Sequence, residues 1–192
     1  MESLWEFSLG GTAIKELPSS TIHLKQVMFG LSFKGCQLSS SSLTSMPRGN
    51  FIDLSDCNLS AIPSVIGHIP MAEMVFLYLS GNDFVSLPES IFQFSSGLSC
   101  LYLDGCKSLR SLSNIQIPST VCFMCVDNCT SLERLPEGLN ELERLPERPY
   151  VSTDSTASLI VQCFNCFKLA ENFEYISNMF QVSLSLISVC VF

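Results

Sequence analysis

The stretch "LYLSGNDFVSLPESI" (77–91) decides the fold, because the chain repeats it in altered form along most of its length. It holds two leucines one residue apart, an Asn three residues later, and a Leu-Pro pair five residues after the Asn. Further on the chain reads "LYLDGCKSLRSL" (101–112), with Cys in place of the Asn. We call the position of Asn82 and its equivalents the pivot, and align the copies on it.

Six copies of this pattern can be aligned, with apolar residues three, five and eight positions before each pivot and one exception at Gly49. The pivots are Thr12, Cys36, Cys57, Asn82, Cys106 and Cys129. They lie 24, 21, 25, 24 and 23 residues apart. Most copies continue with a further apolar residue and then Leu-Pro or Ile-Pro. Leucines in this arrangement, at a period of roughly 20–29 residues, are typical of leucine-rich repeats.

Each Leu-x-Leu segment predicts a short strand whose two leucines face the same side. One unit cannot bury these leucines alone, but stacked units form a parallel sheet over one core. Proline has no N–H, so the Leu-Pro segments suit an outer side without sheet hydrogen bonds, made of irregular or 3₁₀ coils. The sequence therefore predicts an α/β leucine-rich repeat solenoid with a curved parallel sheet on its concave face.

The repeats divide the chain into two predicted regions. Residues 1–149 hold about six repeat units, and residues 150–192 form a partial segment after the repeats. In that segment we expect a short helix around 167–180 and then a terminal strand.

The pivot side chains predict a structural ladder along the solenoid. The pivot stands where the chain leaves the strand, so its side chain can bond backbone groups of its own turn and of the neighbouring coil. The side-chain amide of Asn82 can both donate and accept hydrogen bonds, and so can the hydroxyl of Thr12. The Cys pivots offer only a weak S–H donor, but a thiol is easily buried. All six pivots are expected to take part.

Composition limits the classes of function. The 192 residues are 47% hydrophobic and carry a net charge of −8, without a cluster of Lys or Arg, which argues against nucleic-acid binding. The N-terminus does not resemble a signal peptide, and the apolar stretch 182–192 is too short to cross a bilayer. The ten cysteines then favour reduced thiols. We expect an intracellular protein without membrane contact.

The repeats resemble those of plant intracellular disease resistance proteins, in particular the class with a TIR domain, a nucleotide-binding NB-ARC domain and leucine-rich repeats (TIR-NB-LRR). The similarity lies in "GTAIKELPSSTI" (11–22), "LSDCNLSAIPSVI" (54–66), "LSGNDFVSLPESI" (79–91) and "LDGCKSLRSL" (103–112). The stretch 150–172 is similar to the start of the segment that follows the repeats in that class. An Asn-Cys-x-x-Leu motif recurs there, here Asn165, Cys166 and Leu169.

The resemblance implies a non-catalytic recognition module of a plant immune receptor, in the cytoplasm or the nucleus. Its implied partners are a pathogen effector, a guarded host protein or the receptor's own nucleotide-binding domain. The 192 residues hold neither a phosphate-loop motif nor a TIR-like region. Three alternatives stay open at this point: an extracellular leucine-rich repeat receptor or inhibitor fragment, a truncated product without independent activity, and a Cys-dependent enzyme or metalloprotein.

Strand positions that face away from the core carry aromatic and acidic residues from the third unit onward. The predicted partner-binding residues of the concave face are Phe51, Asp53, Phe76, Tyr78, Tyr102, Asp104, Phe123 and Asp127. Exposed aromatics beside charges are typical of binding hot spots. The competing interpretation is that sheets favour aromatics in any case, or that flanking domains cover this patch.

Chemistry-bearing residues are few. Two Cys-x-x-Cys pairs, at 122–125 and 163–166, are interpreted as structural thiols, because side chains diverge along a strand and the gap between the pairs is long. His23 and His68 fall in connecting stretches away from the predicted concave face. The sequence therefore predicts no catalytic residue, no cofactor and no metal.

Overall fold

Seven strands of the computed structural model form a single parallel sheet whose spatial order is the order of the chain. The model describes residues 4–16, 27–38, 50–62, 75–93, 97–137 and 159–171. In these ranges the strands are β1 Leu4–Ser8, β2 Val27–Ser32, β3 Phe51–Asp53, β4 Val75–Tyr78, β5 Leu98–Tyr102, β6 Phe123–Cys125 and β7 Ile160–Gln162. Parallel strands that follow one another in order require every connection to return to the same end, which is the path of a solenoid. The predicted leucine-rich repeat solenoid is confirmed.

The core consists of the repeated apolar positions. Five residues before the pivot, Leu31, Ile52, Leu77 and Leu101 stand in register on neighbouring strands, and each is at most 1% exposed. From the second coil onward the residues three before the pivot, such as Leu79, are buried beside them, and Leu9 of the first coil is half-buried. Each coil, meaning one strand with its pivot and return segment, thus adds one layer to a continuous core.

Each strand leads into a turn with a left-handed residue directly before the pivot. These residues have φ between 55° and 75° and are Gly11, Gly35, Asp56, Gly81, Gly105, Asn128 and Asn165. Gly, Asn and Asp are the residue types that adopt this conformation most readily. Their N–H groups extend the sheet ladder, as when Gly81 N donates to Asp104 O at 2.8 Å.

In the described ranges the return segments on the outer side contain turns and the short helix α1 Ser90–Gln93. Isolated parallel bridges join Ser86 to Ser111 and Ser111 to Arg134. The expectation of an outer side without sheet hydrogen bonds is wrong at these positions. Ser86 and Arg134 each directly precede a Leu-Pro pair. The proline nitrogen, which cannot donate, therefore lies two residues after the bridged residue and takes no part in the bridge.

Residues 159–171 add a seventh coil to the same sheet. Strand β7 pairs with β6, with Met124 opposite Val161, and helix α2 Phe167–Glu171 follows. This helix lies at the start of the stretch 167–180 that predicts one. The rest of that stretch, the predicted terminal strand and the boundary at residue 150 lie outside the described residues, and the two-region division stays a prediction. Among the described residues, no helix is long and apolar enough to span a membrane.

Candidate functional site

The concave face consists of the strand positions six, four and two residues before each pivot. Strand register places Phe51 beside Phe76, and Asp53 beside Tyr78. Tyr78 in turn lies beside Tyr102 on the next strand. Residues Phe123, Asp104 and Asp127 occupy the corresponding positions of the fifth and sixth coils. The structure therefore brings all eight predicted residues together on four neighbouring coils, while their role in binding stays a prediction.

Four aromatic rings on this face form a continuous ring row. Phe51 and Tyr78 have centroids 5.1 Å apart at an interplanar angle of 57°. Tyr78 and Tyr102 stack at 4.3 Å and 3°, and Tyr102 meets Phe123 at 5.4 Å and 46°. All four side chains are half-buried. The stacking of Tyr78 on Tyr102 covers one face of each of these two rings.

A glycine fixes one end of the ring row. A Cβ added at Gly30 would lie 2.7 Å from the Cβ of Phe51 and would overlap its ring. The Phe51 ring therefore lies over the backbone of strand β2. The sequence carries one signal for this contact, because a glycine inside a strand often marks a close approach of another group to the backbone.

The concave carboxylates are held by neutral hydrogen-bond donors. Asp53 Oδ1 accepts from Ser55 N at 2.9 Å, and Asp104 Oδ1 accepts from Ser80 Oγ at 2.6 Å. These contacts fix the direction of each carboxylate without neutralising its charge. Sequence reasoning missed the serine partner of Asp104, because the bond crosses from one coil to the next.

Asp127 joins the sixth coil to the seventh. Its Oδ1 accepts from Phe164 N at 2.7 Å, and its Oδ2 accepts from Gln162 Nε2. Both donors belong to the coil that sequence reasoning did not recognise, so these contacts were not predicted.

The pivot side chains bond from coil to coil. Each pivot after Thr12 donates to the carbonyl three residues before the preceding pivot. The thiol contacts are Cys36 to Leu9 (3.1 Å), Cys57 to Phe33 (3.1 Å), Cys106 to Leu79 (3.4 Å), Cys129 to Leu103 (3.2 Å) and Cys166 to Val126 (3.0 Å). Thr12 Oγ1 donates within its own coil to Leu9 O at 2.7 Å. Cys166 is thus a seventh pivot, and the Asn-Cys-x-x-Leu motif supplies its left-handed residue, its pivot and the buried Leu169.

The side-chain amide of Asn82 donates hydrogen bonds and also accepts them. Its Nδ2 donates to Leu54 O at 2.8 Å and to Leu79 O at 2.9 Å. Its Oδ1 accepts from Cys57 N at 3.1 Å and from Leu59 N at 2.9 Å. One side chain thereby satisfies three backbone groups of the preceding coil.

Eight of the nine cysteines that the structure describes are buried. Burial raises the pKa of Cys106 to about 11 and that of Cys163 to about 12, so neither is a thiolate near neutral pH. In the first Cys-x-x-Cys pair, Cys122 Sγ donates to Ser99 O at 3.3 Å, whereas Cys125 Sγ contacts Gln162. In the part of the chain that the structure describes, no three His, Cys, Asp or Glu side chains are arranged to hold a metal ion.

Comparison with known proteins finds two plant resistance proteins that are similar to this chain. No protein-family model matches the chain. TMV resistance protein N of Nicotiana glutinosa is 28% identical over 141 residues, covering 65% of this chain and 12% of that protein. Disease resistance-like protein DSC1 of Arabidopsis thaliana is 32% identical over 151 residues, covering 74% of this chain and 12% of that protein. The chain thus spans about 12% of the length of each relative. It is homologous to a segment of the plant TIR-NB-LRR disease resistance proteins, as its repeats and its Asn-Cys-x-x-Leu motif indicate.

Proposed function

We propose that the chain is a non-catalytic recognition module of plant defence that binds a protein through its concave face. The candidate partners are a pathogen effector, a guarded host protein or the nucleotide-binding domain of the same receptor, in the cytoplasm or the nucleus. Homology to the leucine-rich repeat region of plant immune receptors supports the setting. The observation that carries the proposal is the ring row from Phe51 to Phe123.

Three properties of the ring row support a binding role. Rigid aromatic side chains contribute much contact area and lose little conformational entropy on binding. The stacked pair Tyr78 and Tyr102 is held in place by its neighbours, so a partner meets a preformed surface. The sheet below places the four rings on neighbouring strands, with centroids 4.3 to 5.4 Å apart.

Site-specific photocrosslinking tests the proposal. A photoreactive phenylalanine analogue replaces Tyr78 in one version of the full chain and Tyr102 in another, and both are expressed in leaf tissue. Val85, which is 55% exposed and lies outside the concave face, carries the same analogue as the matched control. We expect one protein to be captured from positions 78 and 102 and not from position 85.

The captured protein is then purified and its affinity for the chain is measured by calorimetry. Tyr102→Ala should weaken binding about tenfold or more, in keeping with the loss of a hot-spot aromatic, whereas Val85→Ala should change it less than twofold. Equal capture from all three positions, or unchanged affinity of a folded Tyr102→Ala chain, would refute a concave binding site.

A further inference from the structure

We infer that the concave face takes a basic protein segment, in which Arg or Lys side chains stand beside apolar ones. This inference rests on the proposed function and specifies the chemistry of the partner. The apolar part of the segment would pack on the ring row, and its cations would reach the carboxylates at the row's side.

The charge on this face is one-sided. In the described ranges, the three rows of concave positions carry the carboxylates of Glu6, Asp53, Asp104 and Asp127. The one cation in these rows is Lys34, and it lies 3.8 Å from Asp56, which is outside the rows. The chain as a whole carries a net charge of −8. A partner of complementary charge is therefore positive, and a second copy of this chain would be repelled.

The carboxylates of Asp104 and Asp127 are the strongest indication of a basic partner. They occupy the same position on neighbouring coils, where Gly105 N donates to Asp127 O at 2.7 Å. Their carboxylates turn to different coils, because Asp104 accepts from Ser80 of the fourth coil and Asp127 accepts from Gln162 of the seventh. The hydrogen-bond donors that contact the two side chains, Ser80 and Gln162 among them, are neutral. A guanidinium or ammonium group from a partner would supply the opposite charge at either carboxylate, and the planar fork of Arg can contact two oxygens at once.

The length of the ring row indicates that the cation is part of a protein segment and is not a free ion. Its four rings span three strand intervals, about 15 Å, which matches about three turns of a helix or four to five residues of an extended chain. A nucleic acid would meet the same repulsion from the carboxylates as any polyanion. A segment that is apolar along one line and basic beside it complements both features.

Peptide selection tests the inference. A phage library of random 12-residue peptides is selected on the immobilised full chain, and peptides that also bind the Tyr102→Ala chain are removed, so that binders at the ring row remain. We expect the remaining peptides to carry a net positive charge with Leu, Phe or Trp between the basic residues. Their affinity should fall as ionic strength rises.

A charge-matched pair of variants gives the second readout. Asp104→Asn with Asp127→Asn removes two carboxylates and keeps oxygen acceptors for Ser80 and Phe164. Asp83→Asn with Glu137→Gln changes the net charge equally at exposed positions outside the concave face. The first pair should weaken peptide binding about fivefold or more and flatten its salt dependence, and the second should change it less than twofold.

The outcomes separate the inference from the proposed function. Selected peptides that are neutral or acidic overturn the inference and leave the ring row as a binding surface. An equal loss of affinity in both variant pairs also overturns it, since only the net charge would then matter. If no peptide survives the selection, the inference fails, and the photocrosslinking experiment decides the proposed function independently.

Discussion

Replacing Asn82 by Ala should destabilise the solenoid more than the same change at any Cys pivot. Asn82 is 1% exposed, and its Oδ1 accepts from the buried backbone N–H groups of Cys57 and Leu59. Its Nδ2 donates to Leu54 O in the preceding coil. Alanine leaves these three backbone groups without their partner in a place that water reaches poorly.

The size of the effect follows from the number of groups left unpaired. A buried backbone group without a partner costs about 1–3 kcal/mol, and relaxation of the turn recovers part of the sum. We therefore expect a loss of roughly 3–5 kcal/mol in the free energy of unfolding, a large share of the roughly 5–15 kcal/mol usual for a folded domain. Cys106→Ala is the matched control. It removes one weak thiol bond of 3.4 Å and a small buried volume, which should cost about 1–2 kcal/mol.

The assay is urea unfolding of the full chain, followed by circular dichroism and repeated by fluorescence to test for a two-state transition. Asn82→Cys serves as a milder variant, because a thiol there could donate to Leu54 O but could not accept from the two N–H groups. Its loss should lie between those of the two alanine variants. Equal losses for Asn82→Ala and Cys106→Ala, or an Asn82→Cys chain as stable as the wild type, would refute the assigned acceptor role.

Two further predictions concern the ring row and the buried thiols. Gly30→Ala should displace the Phe51 ring and weaken partner binding, whereas Gly10→Ala should not, because its added Cβ would meet nothing closer than 3.4 Å. Calorimetry with the partner that photocrosslinking identifies measures both affinities. Equal affinities would contradict the close approach at Gly30. Burial raises the pKa of Cys57 to about 11 and that of Cys125 to about 12. The contribution of the neutral thiols to the free energy of unfolding is therefore complete below the unfolded-state pKa near 9 and is lost as pH rises towards 11 and 12. The urea midpoint should fall as pH rises from about 9 towards about 11, less steeply in Cys57→Ala than in the wild type, and parallel slopes would show that the thiols are not responsible.

The sequence predicted the repeating part of the structure well, because equivalent side chains occupy equivalent positions in every coil. The apolar positions before Cys36, Asn82 and Cys106 become the core rows, and stacking follows from their period alone. The seventh coil escaped notice because Cys166 follows Cys129 by 37 residues, outside the spacing of the other pivots. Its motif matches that of Asn128-Cys129 all the same, so aligning the motif without a fixed spacing would have found it.

The concave face was only partly predictable. Strand alternation places Tyr78 and Tyr102 side by side, but their near-parallel stacking depends on side-chain rotamers that a sequence does not specify. The contact between Ser80 and Asp104 also depends on the register between coils. These features belong to residues that do not repeat, and a repeat pattern carries no information about them.

The pivot hydrogen bonds explain why Cys can replace Asn along this ladder. At Asn82, which precedes Cys106, the side-chain Nδ2 donates to Leu79 O of its own turn. At the other pivots that precede a cysteine pivot, the backbone N–H closes its own turn, as in Cys36 N to Phe33 O at 2.9 Å. The same bond occurs at Thr12, Cys106 and Cys129. In those coils the next side chain needs only to donate to one carbonyl, and a thiol does so at little cost of burial.

The third coil is different because its turn contains a second left-handed residue, Asn58, after Asp56. Its amides at Cys57 and Leu59 donate to the side chain of the following pivot, Asn82. A thiol is a poor acceptor for two amides, whereas the carbonyl oxygen of Asn has two lone pairs for them. The choice between Cys and Asn at a pivot is therefore set by the turn of the preceding coil, and a substitution at one pivot should be judged against the coil before it.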